Sequence, residues 1–451
     1  PAPHPARRVR GVSGPSSIDL LGDLVARARA AGAEAADAVL IDSVSLGVGL
    51  RLGALERLER SEGGDVGLRV LIGRRQAFVS SSDRSAEALT QLGERAVAMA
   101  RLVPEDPDQL ALDPPDLDLC DSDVPSPDRL VDLARRAEDA ARAVPGVSNS
   151  EGAEAGWGRS DVTLVASNGL SFSYSVTNTS LSVGVVAGQS DSGMERDHDY
   201  TSAVFGADLR PPEAVGAEAG RRAVRRLGAR KVSSRAVPVV YDPRVARGLV
   251  STLLGAVNGA AVARGTSFLK DRLGQPVFAP GVRIVDDPHR RRGLRSRPLD
   301  GEGLPTRPID LIEDGVLTTW LLDLRSARQL GMAPTGHASR STGAPPSPSA
   351  SNAYLAAGAL TPEVLVADIA DGFYVTDLFG HGVNGVTGDY SRGAAGFWIE
   401  NGALAYPVSE VTVAGNLVEM FRTLTPASDL ELNHGIDSPT VRIESMTVAG
   451  R

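Results

Sequence analysis

A single cysteine, Cys120, stands among 451 residues. An intramolecular disulfide, a cysteine-based zinc knuckle and an iron–sulfur site are therefore excluded, since each needs several thiols. Lysine is almost missing as well: Lys231 and Lys270 are the only two, so nearly every cation is an arginine. Positive charge is in deficit, with Lys+Arg 47 against Asp+Glu 56 and a net charge of −9. Such a chain is a poor general binder of phosphate backbones, and nucleic acid is not an expected partner. No apolar run approaches the ~18 residues of a membrane span, so no membrane is expected. The Pro-, Arg- and Ser-rich start lacks the apolar stretch of a secretory signal. Residues 1–15 read as a disordered tail, and a cytoplasmic location is expected. Six histidines are scattered (His4, His198, His289, His337, His381 and His434), with no H-E-x-x-H, no H-E-x-x-x-H and no G-x-S-x-G nucleophile elbow.

What is present is the composition of a folded protein, 42% hydrophobic and 23% charged. The length suits roughly three domains of about 150 residues. Ser17 is placed to cap a helix carrying Ile18, Leu21, Leu24, Val25 and Ala28, closed by Gly32. Alternation then predicts strands at 44–52 and 66–72, a turn through Gly73-Arg74-Arg75-Gln76 into Ala77-Phe78-Val79, and a helix carrying Leu89, Leu92, Ala96, Met99 and Val103. Residues 104–125, rich in Asp and Pro, read as an exposed linker. Ser126-Pro127 opens a third helix, ended by Pro145-Gly146. Asn168-Gly169 is the strongest hairpin signal. Residues 183–186 read as a further strand and 213–227 as a helix. The third segment opens with a strand at 237–241. Asp242-Pro243 then starts a helix running to about Val262, apolar nearly all round and so expected to be buried. Strand patterns come after it at 282–285, 315–322, 396–399, 408–413 and 441–443, with short helices at 325–330 and 362–370.

The fold class is therefore α+β: two helix–antiparallel-sheet segments (16–103 and 126–232) and a large, mostly β C-terminal domain (235–451) around a buried helix.

Several motifs look chemical and weigh less than they look. Gly380-His381-Gly382-Val383-Asn384-Gly385 matches the dinucleotide fingerprint, but the residues after it are not helical, so a Gly-rich loop is the favoured reading. Ser267 and Lys270 have Ser-x-x-Lys spacing but lack the companion elements of that enzyme class. Residues 194–199 concentrate ligand-type side chains, yet neighbours on a strand point to opposite faces, and a solvated charged turn is preferred. Arg290, Arg291, Arg292, Arg295 and Arg297 have no aromatic interleaving and read as a salt-bridged or partner-facing turn.

Four stretches resemble the PmbA (TldE) branch of the TldD/PmbA metallopeptidase family. They are Ala260 to Leu269, Gly336-His337-Ala338-Ser339-Arg340, Gly385 to Trp398 and Tyr406 to Leu417. The family is a two-subunit bacterial peptidase system, implicated in leader-peptide removal, degradation of small unstable proteins and modulation of DNA gyrase. Its TldD-type subunit carries H-E-x-x-x-H on the central helix and a further Cys ligand. Aligned on Arg264 to Ser267, those three positions fall on Val250, Ser251 and Gly255. None of these can ligate zinc or act as the carboxylate base, and no Cys follows Cys120.

The resemblance thus implies a non-catalytic subunit without catalytic residues, metal or cofactor of its own. Zinc is expected in a TldD-like partner, the substrate is a peptide or unfolded protein, and the isolated chain could form a homodimer. The alternatives are a stand-alone peptidase with a cryptic metal or a Ser267–Lys270 site, and a protein-binding modulator of gyrase. The polar stretch Ser339 to Asn352, with Ser341 and Ser351, and the Gly-rich stretch with His381, Asn384, Asp389 and Tyr390 are expected to be loops lining the substrate chamber or the subunit interface.

Overall fold

Ser16, not Ser17, starts the first helix: its Oγ accepts the Asp19 N–H at 3.2 Å and the Asp19 carboxylate returns to the Ser16 N–H, a reciprocal cap. In the computed structural model, residues 16–73, 75–101, 115–189 and 193–450 are described. The expected tail, Arg74 of the expected turn, Val103 and residues 104–114 of the linker lie outside them.

The N-terminal half runs α1 (Ser17–Ala30), β1 (Ala35–Arg51), β2 (Ala54–Ile72), β3 (Arg75–Ser81), α2 (Ala86–Ala100), α3 (Pro127–Arg142), β4 (Val147–Ala166), β5 (Ser171–Gln189), β6 (Gly193–Ala203) and α4 (Pro212–Arg225). β1 pairs antiparallel with β4 from Asp37↔Ala166 to Leu50↔Ala153. The two segments therefore share one six-stranded sheet, ordered β3-β2-β1-β4-β5-β6. Alternate β1 residues Ala36, Ala38 and Leu40 pack under α1 and α2, and Leu46, Val48 and Leu50 under α3 and α4. One face of the sheet thus carries all four helices, leaving Val39 and Ile41 to face the C-terminal half.

Several expectations are corrected here. Met99 is exposed, because α2 turns Val97 and Ala100 inward instead. Residues 183–186 are the second half of β5, which returns from the expected Asn168-Gly169 hairpin, Gly169 taking φ +97°. The charged stretch 194–199 is no turn: it lies within β6, where ion pairs replace apolar burial. The described part of the linker, 115–125, is not simply exposed. Leu117 and Leu119 are buried, and their carbonyls accept the N–H groups of Arg292 at 3.0 Å and Thr177 at 2.9 Å.

The C-terminal half contains β7 (Arg235–Tyr241), α5 (Pro243–Ala256), α6 (Gly259–Ala263), β8 (Ile284–Asp287), β9 (Ile309–Glu313), β10 (Val316–Leu317), α7 (Leu324–Leu330), β11 (Ala338–Ser341), β12 (Ala344–Pro348) and β13 (Asn352–Leu355). It continues with α8 (Pro362–Val366), β14 (Asp371–Phe379), β15 (Asp389–Glu400), β16 (Ala403–Asn416), α9 (Leu417–Arg422), β17 (Thr425–Pro426), β18 (Ile436–Asp437) and β19 (Val441–Ala449). The order β16-β15-β14-β7-β19 closes on itself through a β16–β19 pairing, which makes a barrel. A second sheet, β10-β9-β8-β13-β18, lies beside it. The largest apolar core surrounds α5, whose Leu249 and Leu253 share it with Tyr241, Phe373 and Ile443.

Three further readings are corrected. The central helix stops at Ala256, because the Asn258 side chain caps a new short helix and Gly259 donates its N–H to the Leu321 carbonyl at 2.8 Å. The stretch 339–352 is no long loop but the β11–β12 hairpin and the start of β13. The strand expected at 315–322 is reduced to Val316–Leu317.

Candidate functional site

Asp242 accepts the Arg244 N–H at 3.1 Å and Pro243 fills the first helical position, so α5 starts where the sequence directs. Ala246, Leu249, Val250, Leu253 and Leu254 face the core. The helix is not apolar all round, however, since Ser251 and Gly255 are exposed. Four residues apart, they share one face, whereas Val250 is only 3% exposed and points into the core. The Ser251 hydroxyl donates back to the Arg247 carbonyl at 3.1 Å.

These three positions provide no imidazole, thiolate or carboxylate, and a zinc ion does not fit them. Among the described residues, no group of three or more His, Cys, Asp or Glu side chains is arranged to hold a metal ion.

The exposed face of α5 floors a groove instead. Two adjoining recesses of about 430 and 440 Å³ share His198, Arg244, Arg247 and His434. β6 supplies one wall. Its buried Asp197 accepts from Arg244 at 2.6 Å and Arg226 at 3.4 Å, and its buried Asp199 accepts from Arg222 at 3.2 Å and is ion-paired with Arg210 at 2.9 Å. The stretch 194–199 is thus an ion-paired strand, neither metal site nor solvated turn. Burial and the neighbouring Arg244 push the His198 imidazole below its ordinary range, and burial and Arg247 do the same to His434. Tyr200 lies 5.0 Å from the His434 ring, and the Arg247 guanidinium 5.6 Å from the Tyr200 ring.

The expected loop residues lie elsewhere, and none lines this groove. Ser341 is exposed at the turn of the β11–β12 hairpin. Ser351 is buried: its hydroxyl donates to Asp286 Oδ2 at 2.6 Å and its N–H to Asp286 Oδ1 at 2.7 Å. The same carboxylate lies 3.0 Å from His337 Nε2. In the Gly-rich stretch between β14 and β15, His381, Asn384 and Asp389 are exposed and Tyr390 is buried. Asn384 donates its N–H to the Asp389 carbonyl at 2.8 Å, which closes the loop on itself.

Ser267 is buried and donates its hydroxyl to the Ala256 carbonyl at 2.6 Å, while Lys270 is exposed, so the two form no nucleophile pair. The basic run is a salt-bridged turn. Arg291 and Arg292 grip Asp118 at 3.1 and 2.7 Å, and Arg297 is turned inward onto backbone carbonyls.

A buried ionic cluster that sequence reading missed joins the two halves. Asp37 of β1 accepts from Arg69 of β2 at 2.5 Å and from Arg340 of β11, and Arg69 also reaches Glu302 at 3.2 Å. Arg340 closes the Gly336-His337-Ala338-Ser339-Arg340 stretch, whose His337 and Arg340 are therefore framework residues. Nothing in spacing alone links positions 37, 69, 302 and 340.

The chain matches three domains of one family: PmbA/TldA metallopeptidase domain 1 at residues 36–100, the central domain at 120–227 and the C-terminal domain at 234–450. It is 38% identical to Metalloprotease PmbA of Escherichia coli O157:H7 over 427 residues, 93% of each chain. It is 28% identical to the Metalloprotease TldD homolog of Haemophilus influenzae over 52% of each chain. Its fold is similar to that of a proposed modulator of DNA gyrase from Bacteroides thetaiotaomicron, with TM-score 0.85, 27% identity and coverage of 96% and 98%. It is also similar to TldE from Thermococcus kodakarensis, with TM-score 0.82, 21% identity and coverage of 96% and 100%.

Proposed function

Because this chain belongs to the PmbA/TldA metallopeptidase family, in its PmbA branch, we propose that it is the non-catalytic subunit of a heteromeric peptidase. A TldD-like partner would supply the zinc and the carboxylate that activates water. This chain would complete the chamber in which peptides and small unfolded proteins are held. The observation that carries this reading is the face of α5. Val250 is core, Ser251 is a hydroxyl bonded to its own helix, and Gly255 has no side chain. A hydroxyl so placed cannot serve as a general base, and among the described residues no group of three or more His, Cys, Asp or Glu side chains is arranged to hold a metal ion. The burial of Ser267 and its bond to the Ala256 carbonyl speak against the serine–lysine alternative.

The test is peptide cleavage by three samples: this chain alone, a TldD-like subunit from the same genome alone, and the two mixed. Cleavage that requires the mixture, together with co-elution of the two chains, is expected. Cleavage by this chain alone at a rate the partner does not change refutes the proposal.

A further inference from the structure

One end of the groove along α5 carries a charge opposite to that of the molecule. The chain is acidic overall, at −9. The 440 Å³ recess nevertheless presents Arg244, Arg247, Arg295 and Arg392 against one carboxylate, Asp377. Asp377 is already engaged by Arg226 at 3.1 Å, and Arg244 by Asp197 at 2.6 Å.

The other three guanidinium groups touch only neutral partners. Arg247 donates to the Arg244 carbonyl at 3.0 Å and to the Tyr200 hydroxyl. Arg295 donates to the carbonyls of Ser351 and Ala350, each at 3.0 Å, and Arg392 to those of Phe379 and Leu378, each at 3.4 Å. Among the described residues, none of the three is ion-paired. Each guanidinium has five N–H donors in a planar fork that matches a carboxylate, so donors remain. Cations lining a concave wall focus the local field and attract anions even on an acidic protein.

The neighbouring recess is mixed in charge: Arg210, Arg222, Arg244 and Arg247 stand beside Asp199, Asp242, Glu431 and Asp437, and Asp199 is already paired with Arg210 and Arg222. The excess of unpaired cations therefore lies at the Arg392 end. The floor of the 440 Å³ recess includes Gly248 and Ser251, low enough for a main chain to pass.

We infer that this recess binds carboxylates of an extended peptide, which puts an anion-recognition site on the helix face that the catalytic branch uses for its metal. The inference rests on the reading that this chain handles peptides. The carboxylate could be the peptide's own C-terminus or an Asp or Glu side chain; both present the same group to the arginines.

The test uses the full chain without its partner. Fluorescence polarisation would follow three labelled ten-residue peptides: one rich in Asp and Glu, the same with a C-terminal amide, and an amidated Asn/Gln counterpart. The acidic peptide should bind at least about tenfold tighter than the Asn/Gln peptide, and Arg392→Gln should remove most of that difference. Ser251→Glu, on the exposed helix face, should abolish the preference without changing the melting temperature. Loss of binding on amidation alone supports the site and assigns it to the C-terminus; retention supports it and assigns it to side chains. Equal affinity for all three peptides, or a preference untouched by both Arg392→Gln and Ser251→Glu, overturns the inference. Peptide cleavage by the mixed subunits is scored separately, so a failed anion site and a failed subunit role give different results.

Discussion

Arg69 Nη1 and Glu302 Oε1 meet at 3.2 Å across the junction between the N-terminal sheet and the C-terminal half, both nearly out of reach of water. Burial pushes the Glu302 carboxyl up to about 7 from an ordinary 4.5, and Arg69 only partly opposes it. A carboxyl raised in this way holds its proton more tightly folded than unfolded. Its contribution to stability is complete below 4.5 and is lost as pH rises through about 7. Asp37 works in the opposite sense. Burial acts to raise it, but Arg340 and Arg69 together hold it below 3.8, so its contribution is lost as pH falls through that lowered value.

Glu302→Gln is therefore expected to flatten the decline of melting temperature between pH 4.5 and 7 relative to the parent chain. The difference integrated over that window should be on the order of 3 kcal/mol. Parallel melting curves for the two proteins across this range would remove Glu302 from the pH response.

Gly67 of β2 lies under the β11–β12 turn, where an added Cβ would sit 2.6 Å from the Thr342 carbonyl oxygen and 2.9 Å from its Cα. Both atoms are backbone, so the hairpin would have to retreat. Gly67→Ala should cost ~1–3 kcal/mol, the usual scale of overpacking. Gly248→Ala is the contrast: it lies inside α5, with nothing within 4 Å of an added Cβ. That change should stabilise by ~0.5–1 kcal/mol through helix propensity. Denaturant unfolding of the two variants should show opposite signs, and equal effects would refute the close approach.

How far the fold could be read ahead depended on whether the signal was local. Ser126-Pro127, Asn168-Gly169 and Asp242-Pro243 each start or reverse an element through their own hydrogen bonds, and each stands where the sequence put it. The outer half of β2 could not be read. Residues 54–61 are exposed throughout and show no apolar alternation, and pairing with β1 alone makes them a strand. The groove was partly legible. Asp197 and Asp199 alternate on a strand, and Arg222 and Arg226, four apart, place two cations above them. That pairing needs β6 and α4 to be recognised as neighbours, and in isolation the charged stretch reads as a turn. The cation-rich end joins Arg247, Arg295 and Arg392 from three distant places; the basic run flagged Arg295 alone, and nothing local tied it to the other two.

Leu253 is fully buried in the core around α5. Leu253→Ala should cost ~2–5 kcal/mol, since a packed barrel closes poorly around a cavity. Ser251→Ala, two residues away on the exposed face, should change stability by no more than ~0.5 kcal/mol. Chemical denaturation monitored through the tryptophans would measure both. A tolerated Leu253→Ala would mean that α5 is not the centre of the core.

The purified chain is expected to retain no stoichiometric zinc. The three motif positions contain no imidazole, thiolate or carboxylate, and no alternative group of ligands is assembled among the described residues. Ser251→Glu alone should not change this, because one exposed carboxylate is a weak site and a stable zinc centre takes three or four protein ligands. Writing the whole motif back is expected to fail first on stability. A regular helix turns about 100° per residue, so positions 250 and 255 lie about 140° apart around the axis. Here position 250 points into the apolar core. Val250→His would bury an imidazole without a partner and should lower stability by ~1–3 kcal/mol. Val250→His combined with Ser251→Glu and Gly255→His should therefore melt below the parent in zinc-free buffer. Elemental analysis of the parent and both variants, with melting curves in chelator and in added zinc, would check each step. About one tightly held zinc per parent chain would contradict the non-catalytic assignment directly. A triple variant that melts no lower than the parent without metal would show that Val250 does not belong to the core.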